Sequence, residues 1–164
     1  AKASQGITHF RRLKDAGVAT RTMLNAMSAF EDRLAAVVFR MPEDFEKDLK
    51  RLEIFLKGLP AETPAVFEFR HPSWFDDEVL ALLRSQNRVL CVSDRDEMPA
   101  NHIDKTADWG YVRLRRVNYS ESDLKEWIKR IKAQKWKDTY VFFKHEDEGT
   151  GPKLAADFHR LTRI

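Results

Sequence analysis

Short apolar segments alternate with amphipathic helical segments along this sequence, and this alternation restricts the fold more than any other feature. Apolar segments that predict strands lie at 35–39, 65–70, 89–92, 109–114 and 139–143. Between two of them, apolar residues at helical spacing predict a clear amphipathic helix: Phe45, Leu49, Leu52, Leu56 and Leu59. Nearly continuous apolar strands separated by helices are typical of a parallel sheet whose faces are covered. The sequence therefore predicts an α/β protein.

Start signals accompany most of the other predicted helices. Either Asp76 or Asp77 is suited to cap one helix, and Ser120 with Asp123 forms a capping-box-like start for another. Pro152 fits the first turn of the last helix. A further helix is predicted from apolar periodicity alone: Met23, Met27, Phe30 and Leu34.

Length and composition set the broad class. The 164 residues suit one domain with a real core, and the single cysteine, Cys91, lies in an apolar run and suits core packing in a reducing compartment. No apolar run approaches the roughly 18 residues of a membrane span, and no signal-peptide pattern opens the chain. We therefore expect a cytoplasmic protein with no membrane partner.

The net charge of +3 comes from the beginning of the chain. Residues 1–36 hold six Lys and Arg against three Asp and Glu, whereas residues 37–164 hold 23 of each. A solvated surface is the commonest cause of such a mild bias. Because no recognition motif or aromatic platform accompanies these cations, nucleic-acid binding is only the weakest of the functional options.

Two α/β architectures satisfy the alternation, a doubly wound open sheet and a TIM-type (β/α) barrel. No Gly-rich phosphate loop follows a predicted strand, which argues against a dinucleotide-binding open sheet. We therefore predict a partial (β/α) barrel over residues 1–164.

One predicted strand runs into a concentrated group of polar residues, in the segment Ala65–Trp74. On a strand, Glu68 and Arg70 would share a face, and Pro72 would stop the strand near Arg70. A carboxylate and a guanidinium would then lie side by side at the carboxyl end of the strand. The alternative is an ordinary ion pair, with Trp74 packing locally.

Charged residues also lie at or just after the carboxyl ends of the other predicted strands. In barrel enzymes the active site lies at this end, and a ring of cations with a few carboxylates suits a small anionic substrate, perhaps phosphorylated. We predict Glu68, His71 and Asp94 as acid-base residues, with His71 and Asp94 as alternative metal ligands. The predicted substrate-binding residues are Arg40, Arg70, Trp74, Arg113 and Lys144.

Each of these residues has a simpler interpretation. Arg113 and Lys144 fit exposed strand-end charges, His71 fits a hydrogen-bonded residue before a proline turn, and Asp94 fits a loop cap. The run His145-Glu146-Asp147-Glu148 has metal-binding residue types but lacks the second His of a helical zinc motif, so an acidic turn is the better interpretation. No metal or cofactor is assigned.

Several segments spread over nearly the whole chain carry a family resemblance. They are Ile7-Thr8-His9 with Arg11-Arg12-Leu13, Phe39-Arg40-Met41-Pro42 with Phe45, Glu68-Phe69-Arg70-His71-Pro72-Ser73-Trp74, Tyr111-Val112-Arg113-Leu114 with Tyr119-Ser120, and Tyr140 to Glu146. The third segment is the most specific. Together they resemble the domain of unknown function 72 (YecE-like) family.

This resemblance implies a TIM-type (β/α)8 barrel and supplies no reaction. It implies about two strand-helix units before the present first residue, since a full barrel takes about 200 residues or more. The open strand edges would then be covered by a missing N-terminal segment or by self-association. The chain departs from the family at Arg115-Arg116, where His-Gly is common, and at Arg40, where Gln is frequent.

Three functional hypotheses follow. The first is an enzyme that uses acid-base chemistry on a small anionic molecule, and the second is a non-catalytic barrel that binds a ligand or a protein. The third and weakest is a nucleic-acid-processing protein that uses the basic beginning of the chain. The sequence leaves the choice between enzyme and binding module open.

Overall fold

The computed structural model describes residues 1–100, 103–144 and 149–163. The chain divides into two compact units, residues 1–90 and 91–164, each with its own parallel sheet and helices. None of the helices in the described ranges is both long and apolar enough to cross a membrane. The predicted alternation of helices and strands, and with it the α/β class, is confirmed.

The first unit contains a three-stranded parallel sheet in the order β1-β2-β3. The strands are β1 (Val37–Arg40), β2 (Ala65–Glu68) and β3 (Val89–Leu90). In the register of β1 and β2, Arg40 lies opposite Glu68. Lys2 forms an isolated parallel bridge with Val38, so the beginning of the chain lies along β1.

The first unit has a short π-helix, Gly6–Phe10, and three α-helices: α1 (Gly17–Met27), α2 (Leu49–Lys57) and α3 (Asp77–Ser85). Asp76 caps α3 by accepting a hydrogen bond from the Val79 N–H, as one of the two predicted caps. The regular helix α1 ends earlier than the apolar periodicity predicts. A 3-10 segment, Ser28–Arg33, follows it, and inside this segment Glu31 has a positive φ of 51° that interrupts the helix.

Helix α2 begins four residues after Phe45, the first residue of its predicted apolar stripe. Asp48 ends the preceding loop by accepting the Arg51 N–H, so the helix starts at Leu49. Phe45 is buried in that loop, and its ring makes a T-shaped contact with the Trp74 ring. The periodicity therefore identified a buried side chain correctly but extended the helix too far.

Aromatic rings fill the core between the first sheet and its helices. Phe39 of β1 stacks on Phe67 of β2 with ring centroids 5.3 Å apart, and Phe55 of α2 meets the edge of Phe39 at the same distance. Phe69 continues the stack onto Trp74, whose centroid is 4.3 Å away. This packing fixes which face of β1 and β2 is covered by helices.

The second unit repeats the same architecture with the strand order β4-β5-β6. Its elements are β4 (Val92–Asp94), β5 (Gly110–Leu114), α4 (Glu121–Ala133), β6 (Thr139–Phe143) and α5 (Thr150–Thr162). The capping box of Ser120 and Asp123 is present at the start of α4. The predicted strand 89–92 is split, because β3 ends at Leu90 and β4 begins at Val92.

A close approach of backbone and ring explains one glycine of the second sheet. A Cβ atom added to Gly110 would lie 2.4 Å from the Trp136 ring, so no larger side chain fits there without moving the tryptophan. Trp136 lies between α4 and β6, where it packs against the second core. In the described part of the chain the strands form two three-stranded parallel sheets, and no pairing among them closes a barrel.

Candidate functional site

Glu68 is a buried carboxylate at the carboxyl end of β2. Only 1% of the residue is exposed. Arg40 ends the neighbouring strand, and its Nε lies 3.6 Å from Glu68 Oε1. That distance defines an ion pair but exceeds the about 2.9 Å of a charge-assisted hydrogen bond. The Arg40 side chain is 24% exposed, so one side of this pair reaches solvent.

The Glu68 and Arg40 pair lies on the face of the first sheet that is turned away from the helices. Residues paired across parallel strands share a face, and successive residues alternate between faces. Phe39 and Phe67 are paired, and both belong to the core packed against the helices. Arg40 and Glu68 come one residue later on each strand, so they lie on the opposite face.

Arg70 lies just beyond the end of β2 and reaches back to the loop after β1. Its Nη2 donates to Oε1 of Glu43 in a salt bridge. The Arg70 side chain is largely buried, whereas Glu43 is mostly exposed. The strand was predicted to reach Arg70, but it ends at Glu68. A second guanidinium is thus held near the carboxyl end of β2 by a residue that follows β1.

His71 opens the 3-10 turn Pro72–Trp74, where the proline was predicted to stop the strand. Its Nδ1 lies 2.8 Å from the Ser73 hydroxyl and accepts the Ser73 backbone N–H at 3.3 Å. The Ser73 hydroxyl in turn accepts the Lys47 backbone N–H at 2.8 Å. These contacts join the turn to the loop before α2.

Trp74 lies wholly inside the core of the first unit. Its indole Nε1 donates to the Phe45 carbonyl at 2.6 Å, and its ring is stacked on Phe69. The side chain is fully buried. These contacts support the packing interpretation of Trp74. Its predicted contact with a substrate stays a prediction.

Asp94 is buried at the carboxyl end of β4 in the second unit, where three donors surround its carboxylate. Arg116 Nε and the Tyr119 hydroxyl each donate to Oδ2 at 2.8 Å. The Ala100 N–H donates to Oδ1 at 3.0 Å. Asp94 therefore holds the loop that follows it, which is the loop-capping role that the sequence left open.

The register places Asp94 on the helix-covered face of the second sheet. Asp94 is paired with Leu114, which belongs to the core shared with α4 and α5. Arg113 is paired with Ser93 and therefore lies on the other face. The predicted grouping of Asp94 with Arg113 is thus not what the second sheet shows, because neighbouring residues on a strand point to opposite faces.

Tyr119 and Arg116 complete the Asp94 cluster, and the sequence reasoning did not assign either of them to it. Burial raises the pKa of the Tyr119 hydroxyl, and its hydrogen bond to Asp94 raises the pKa further. The Arg116 guanidinium carbon lies 4.4 Å from the centre of the Tyr119 ring. The pairing of Asp94 with Leu114 places the residues after β5 beside Asp94, and no short-range pattern in the sequence contains that pairing.

Arg113 and Lys144 both belong to the carboxyl end of the second sheet. Arg113 lies within β5, and Lys144 follows β6, where its backbone N–H donates to the Leu114 carbonyl at 3.1 Å. Their predicted role in binding an anion stays a prediction. The run His145-Glu146-Asp147-Glu148 lies outside the described residues. Within those residues, no three His, Cys, Asp or Glu side chains are grouped as a metal site would require.

Comparison with known proteins identifies one family. The whole chain, residues 1–164, matches the family described as protein of unknown function DUF72. No match to a curated protein was found.

Solved structures of the same family have a similar fold. A crystal structure of a DUF72 family protein from Thermotoga maritima has a TM-score of 0.84 and 21% identity, covering 99% of this chain and 72% of its own. A DUF72 family protein from Enterococcus faecalis matches in two crystal structures, with TM-scores of 0.70 and 0.66 and identities of 13% and 14%. These matches cover 88% and 84% of this chain, and 63% and 68% of the Enterococcus chains.

Proposed function

We propose a function from the premise that this chain belongs to the DUF72 family, whose description names no activity. The protein is an enzyme that acts on a small anionic substrate by acid-base chemistry at the carboxyl end of its first sheet. Glu68 is the general acid or base, and Arg40 and Arg70 bind the anion.

The observation that carries this proposal is the geometry of Glu68 and Arg40. A buried carboxylate is costly unless it is paired, and a guanidinium at 3.6 Å compensates its charge without a short hydrogen bond. The pair lies on the face away from the helices and reaches solvent through Arg40. A buried carboxylate beside a partly exposed cation, on the face that the helices leave uncovered, supports an acid-base residue with an anion-binding neighbour.

Arg70 extends the cationic surface along the same edge. Guanidinium groups bind carboxylate and phosphate oxygens in pairs, which makes arginine well suited to anionic substrates. Arg70 forms a salt bridge with Glu43, which is mostly exposed. The carboxylate or phosphate of a substrate can take the place of the Glu43 carboxylate in this pair. Two arginines on adjacent strand ends thus support a phosphate or carboxylate group as the part of the substrate that is recognised.

Within the α/β class, we propose a TIM-type barrel as the fold of the whole protein. Two sets of parallel strands alternating with helices support it, as does the fold shared with the Thermotoga maritima protein. The chain covers 72% of that protein's chain, which has residues beyond the matched part. In such barrels the catalytic residues lie at the carboxyl ends of the strands, where Arg40 and Glu68 end β1 and β2.

The proposal is tested with Glu68→Gln, which keeps the side-chain shape and removes its charge. Inorganic phosphate and sulfate serve as binding probes in calorimetry, and a panel of phosphorylated and carboxylated metabolites serves in turnover assays. We expect phosphate to bind Glu68→Gln at least as tightly as the unchanged protein, because a negative charge near the anion is lost. Turnover should fall about 100-fold or more, as for loss of a general acid or base.

Glu53→Gln on α2 is the matched control, since Glu53 pairs with Lys57 on the helix surface. It should change neither binding nor turnover. Phosphate binding with no turnover of any anionic compound would favour the non-catalytic binding module. A lack of phosphate and sulfate binding would reject the anionic substrate class.

A further inference from the structure

We infer that His71 is a hydrogen-bond donor to an oxygen of the bound anion, through Nε2–H, and that it is neither the general base nor a metal ligand. This inference rests on the proposed function for the identity of the ligand. The tautomer that it requires follows from contacts within the first unit alone.

The backbone N–H of Ser73 determines the tautomer. It donates to His71 Nδ1, and a nitrogen that accepts a hydrogen bond must carry a lone pair and no proton. In the neutral ring the proton is therefore on Nε2. The contact of 2.8 Å between Nδ1 and the Ser73 hydroxyl agrees with this, because the hydroxyl can donate to Nδ1.

The Lys47 backbone supports the same direction of hydrogen bonding. Its N–H donates to the Ser73 hydroxyl oxygen, so that oxygen already acts as an acceptor. The hydroxyl proton is then available for His71 Nδ1, and the chain of donors runs from Lys47 through Ser73 to the ring. In the Nδ1–H tautomer the ring N–H and the Ser73 N–H would face each other, and neither group could accept the hydrogen bond.

This tautomer restricts what His71 can do chemically. The outer nitrogen, Nε2, carries a proton and offers no lone pair, so it cannot accept a proton from a substrate. It cannot bind a metal either, because a metal on Nε2 requires the ring proton on Nδ1. What it offers is one neutral N–H donor.

The position of His71 indicates which group receives this hydrogen bond. The ring is half-buried, and no residue that the structure describes accepts a hydrogen bond from Nε2. His71 directly follows Arg70 and comes three residues after Glu68, at the end of β2. A half-buried N–H donor in the residue that follows Arg70 fits an oxyanion, such as phosphate or a carboxylate, better than it fits water.

Nitrogen-15 NMR of the histidine rings tests the tautomer in the unliganded protein at neutral pH. We expect His71 to show a protonated-type Nε2 shift and an unprotonated-type Nδ1 shift. Titration with inorganic phosphate should move the Nε2 resonance. An Nδ1–H ring, or a His71 Nε2 shift unaffected by phosphate that binds elsewhere, would overturn the inference.

Two amide substitutions separate donation to the ligand from support of the turn. His71→Asn places its amide near Nδ1 and can still accept the Ser73 N–H, whereas His71→Gln places an N–H donor near Nε2. Phosphate affinity should fall about tenfold in His71→Asn, as for one hydrogen bond to a charged group, and stay within about threefold in His71→Gln. A purely structural His71 would give the reverse order.

The two proposals fail in different ways. If phosphate binding depends on Arg40 but is equal in His71→Asn and the unchanged protein, the proposed function stands and this inference is wrong. If the unchanged protein does not bind phosphate, the proposed function and the ligand contact of His71 both fail. The NMR measurement of the tautomer then still tests the hydrogen bonds between His71 and Ser73. His159→Asn on the exposed side of α5 is the matched control.

Discussion

Glu68 and Asp94 are both buried carboxylates at the carboxyl end of a parallel strand, one in each unit, and each has an arginine beside it. Their surroundings differ in two respects. Asp94 lies on the helix-covered face of its sheet and accepts short hydrogen bonds from three donors. Glu68 lies on the other face, and its arginine approaches only to 3.6 Å.

The comparison shows that an ion pair at a strand end does not by itself identify a functional site. The Asp94 carboxylate is fixed by a guanidinium, a phenol and a backbone amide, an arrangement that stabilises a loop and leaves little capacity for proton transfer. The arginines of the two pairs are similarly exposed, 24% for Arg40 and 28% for Arg116, so the exposure of the cation does not distinguish them. The face of the sheet, together with the three hydrogen bonds that hold Asp94 to its loop, therefore separates a structural carboxylate from a candidate catalytic one.

The largest effect that would test this contrast is the loss of stability in Asp94→Ala. The substitution removes the nearer of the two carboxylates that pair with Arg116, leaving only Asp123, and it removes the acceptor for the Tyr119 hydroxyl, so we expect the free energy of unfolding to fall by about 3 kcal/mol. Urea unfolding followed by circular dichroism measures this difference. Asp157→Ala on the surface of α5 should lie within about 0.5 kcal/mol of the unchanged protein. An equally small loss of unfolding free energy in both variants would contradict the structural role of Asp94.

The next largest effect concerns ligand binding at the first sheet. Arg40→Met removes the guanidinium and keeps most of the side-chain length, so affinity for inorganic phosphate should fall about tenfold, or about 1.4 kcal/mol. Calorimetric titration measures the affinity. Arg21→Met on the exposed surface of α1 controls for the loss of one positive charge. Equal phosphate affinity in the two variants would contradict the role of Arg40.

A smaller effect is expected at the hydroxyl of Tyr119. Tyr119→Phe keeps the ring under Arg116 but removes the hydroxyl, which donates to Asp94 and accepts the Arg116 backbone N–H, so the free energy of unfolding should fall by about 1 kcal/mol. Urea unfolding measures it. In the double variant with Asp94→Ala the cost of losing the hydroxyl should be smaller, because its acceptor is already gone and only the hydrogen bond from the Arg116 backbone N–H is lost. Additive losses would mean that the hydroxyl and Asp94 act independently.

The smallest effect is the pH dependence of the capping box on α4. The Ser120 hydroxyl and the Ser120 backbone N–H donate to Asp123, and these hydrogen bonds lower the pKa of Asp123. The ionised form is thus favoured in the folded state. Its contribution to stability is present above the ordinary pKa of about 3.9 and is lost as the pH falls through the lowered value.

Asp123→Asn tests that pH dependence. The difference in unfolding free energy between the unchanged protein and this variant should be constant near neutral pH and shrink in acid. Asp157→Asn, whose carboxylate has no role in the cap, should give no comparable shrinkage. A difference for Asp123→Asn that is equally large at pH 3 and pH 7 would contradict the assigned hydrogen bonds.

Local signals in the sequence were sufficient for most of the secondary structure. The box of Ser120 and Asp123 and the turn at Pro72 act within a few residues, so both could be predicted directly, although β2 ends two residues before Arg70. Predictions failed where packing competed with a local pattern. Phe45 continues the apolar stripe of α2, yet it is buried in the loop because its carbonyl accepts the indole N–H of Trp74.

The site was predicted only in part, for a related reason. Arg40 and Glu68 could be expected at one sheet edge because both end apolar segments that alternate with helices. The pairing of Asp94 with Arg116 and Tyr119 depends on the register of β4 with β5, and a shift of one residue reverses every face. No local pattern contains that register.

The sequence by itself determined the α/β class, the approximate strand and helix positions, and the concentration of charged residues where strands end, because periodicity, caps and breakers are properties of short segments. The tertiary structure alone decided which carboxylate lies with the helices and which lies away from them. It also decided that the Lys47 backbone holds the Ser73 hydroxyl, which lies beside His71 Nδ1. The strand pairings and the contact of Lys47 with Ser73 join residues far apart in the chain, so no short segment contains them.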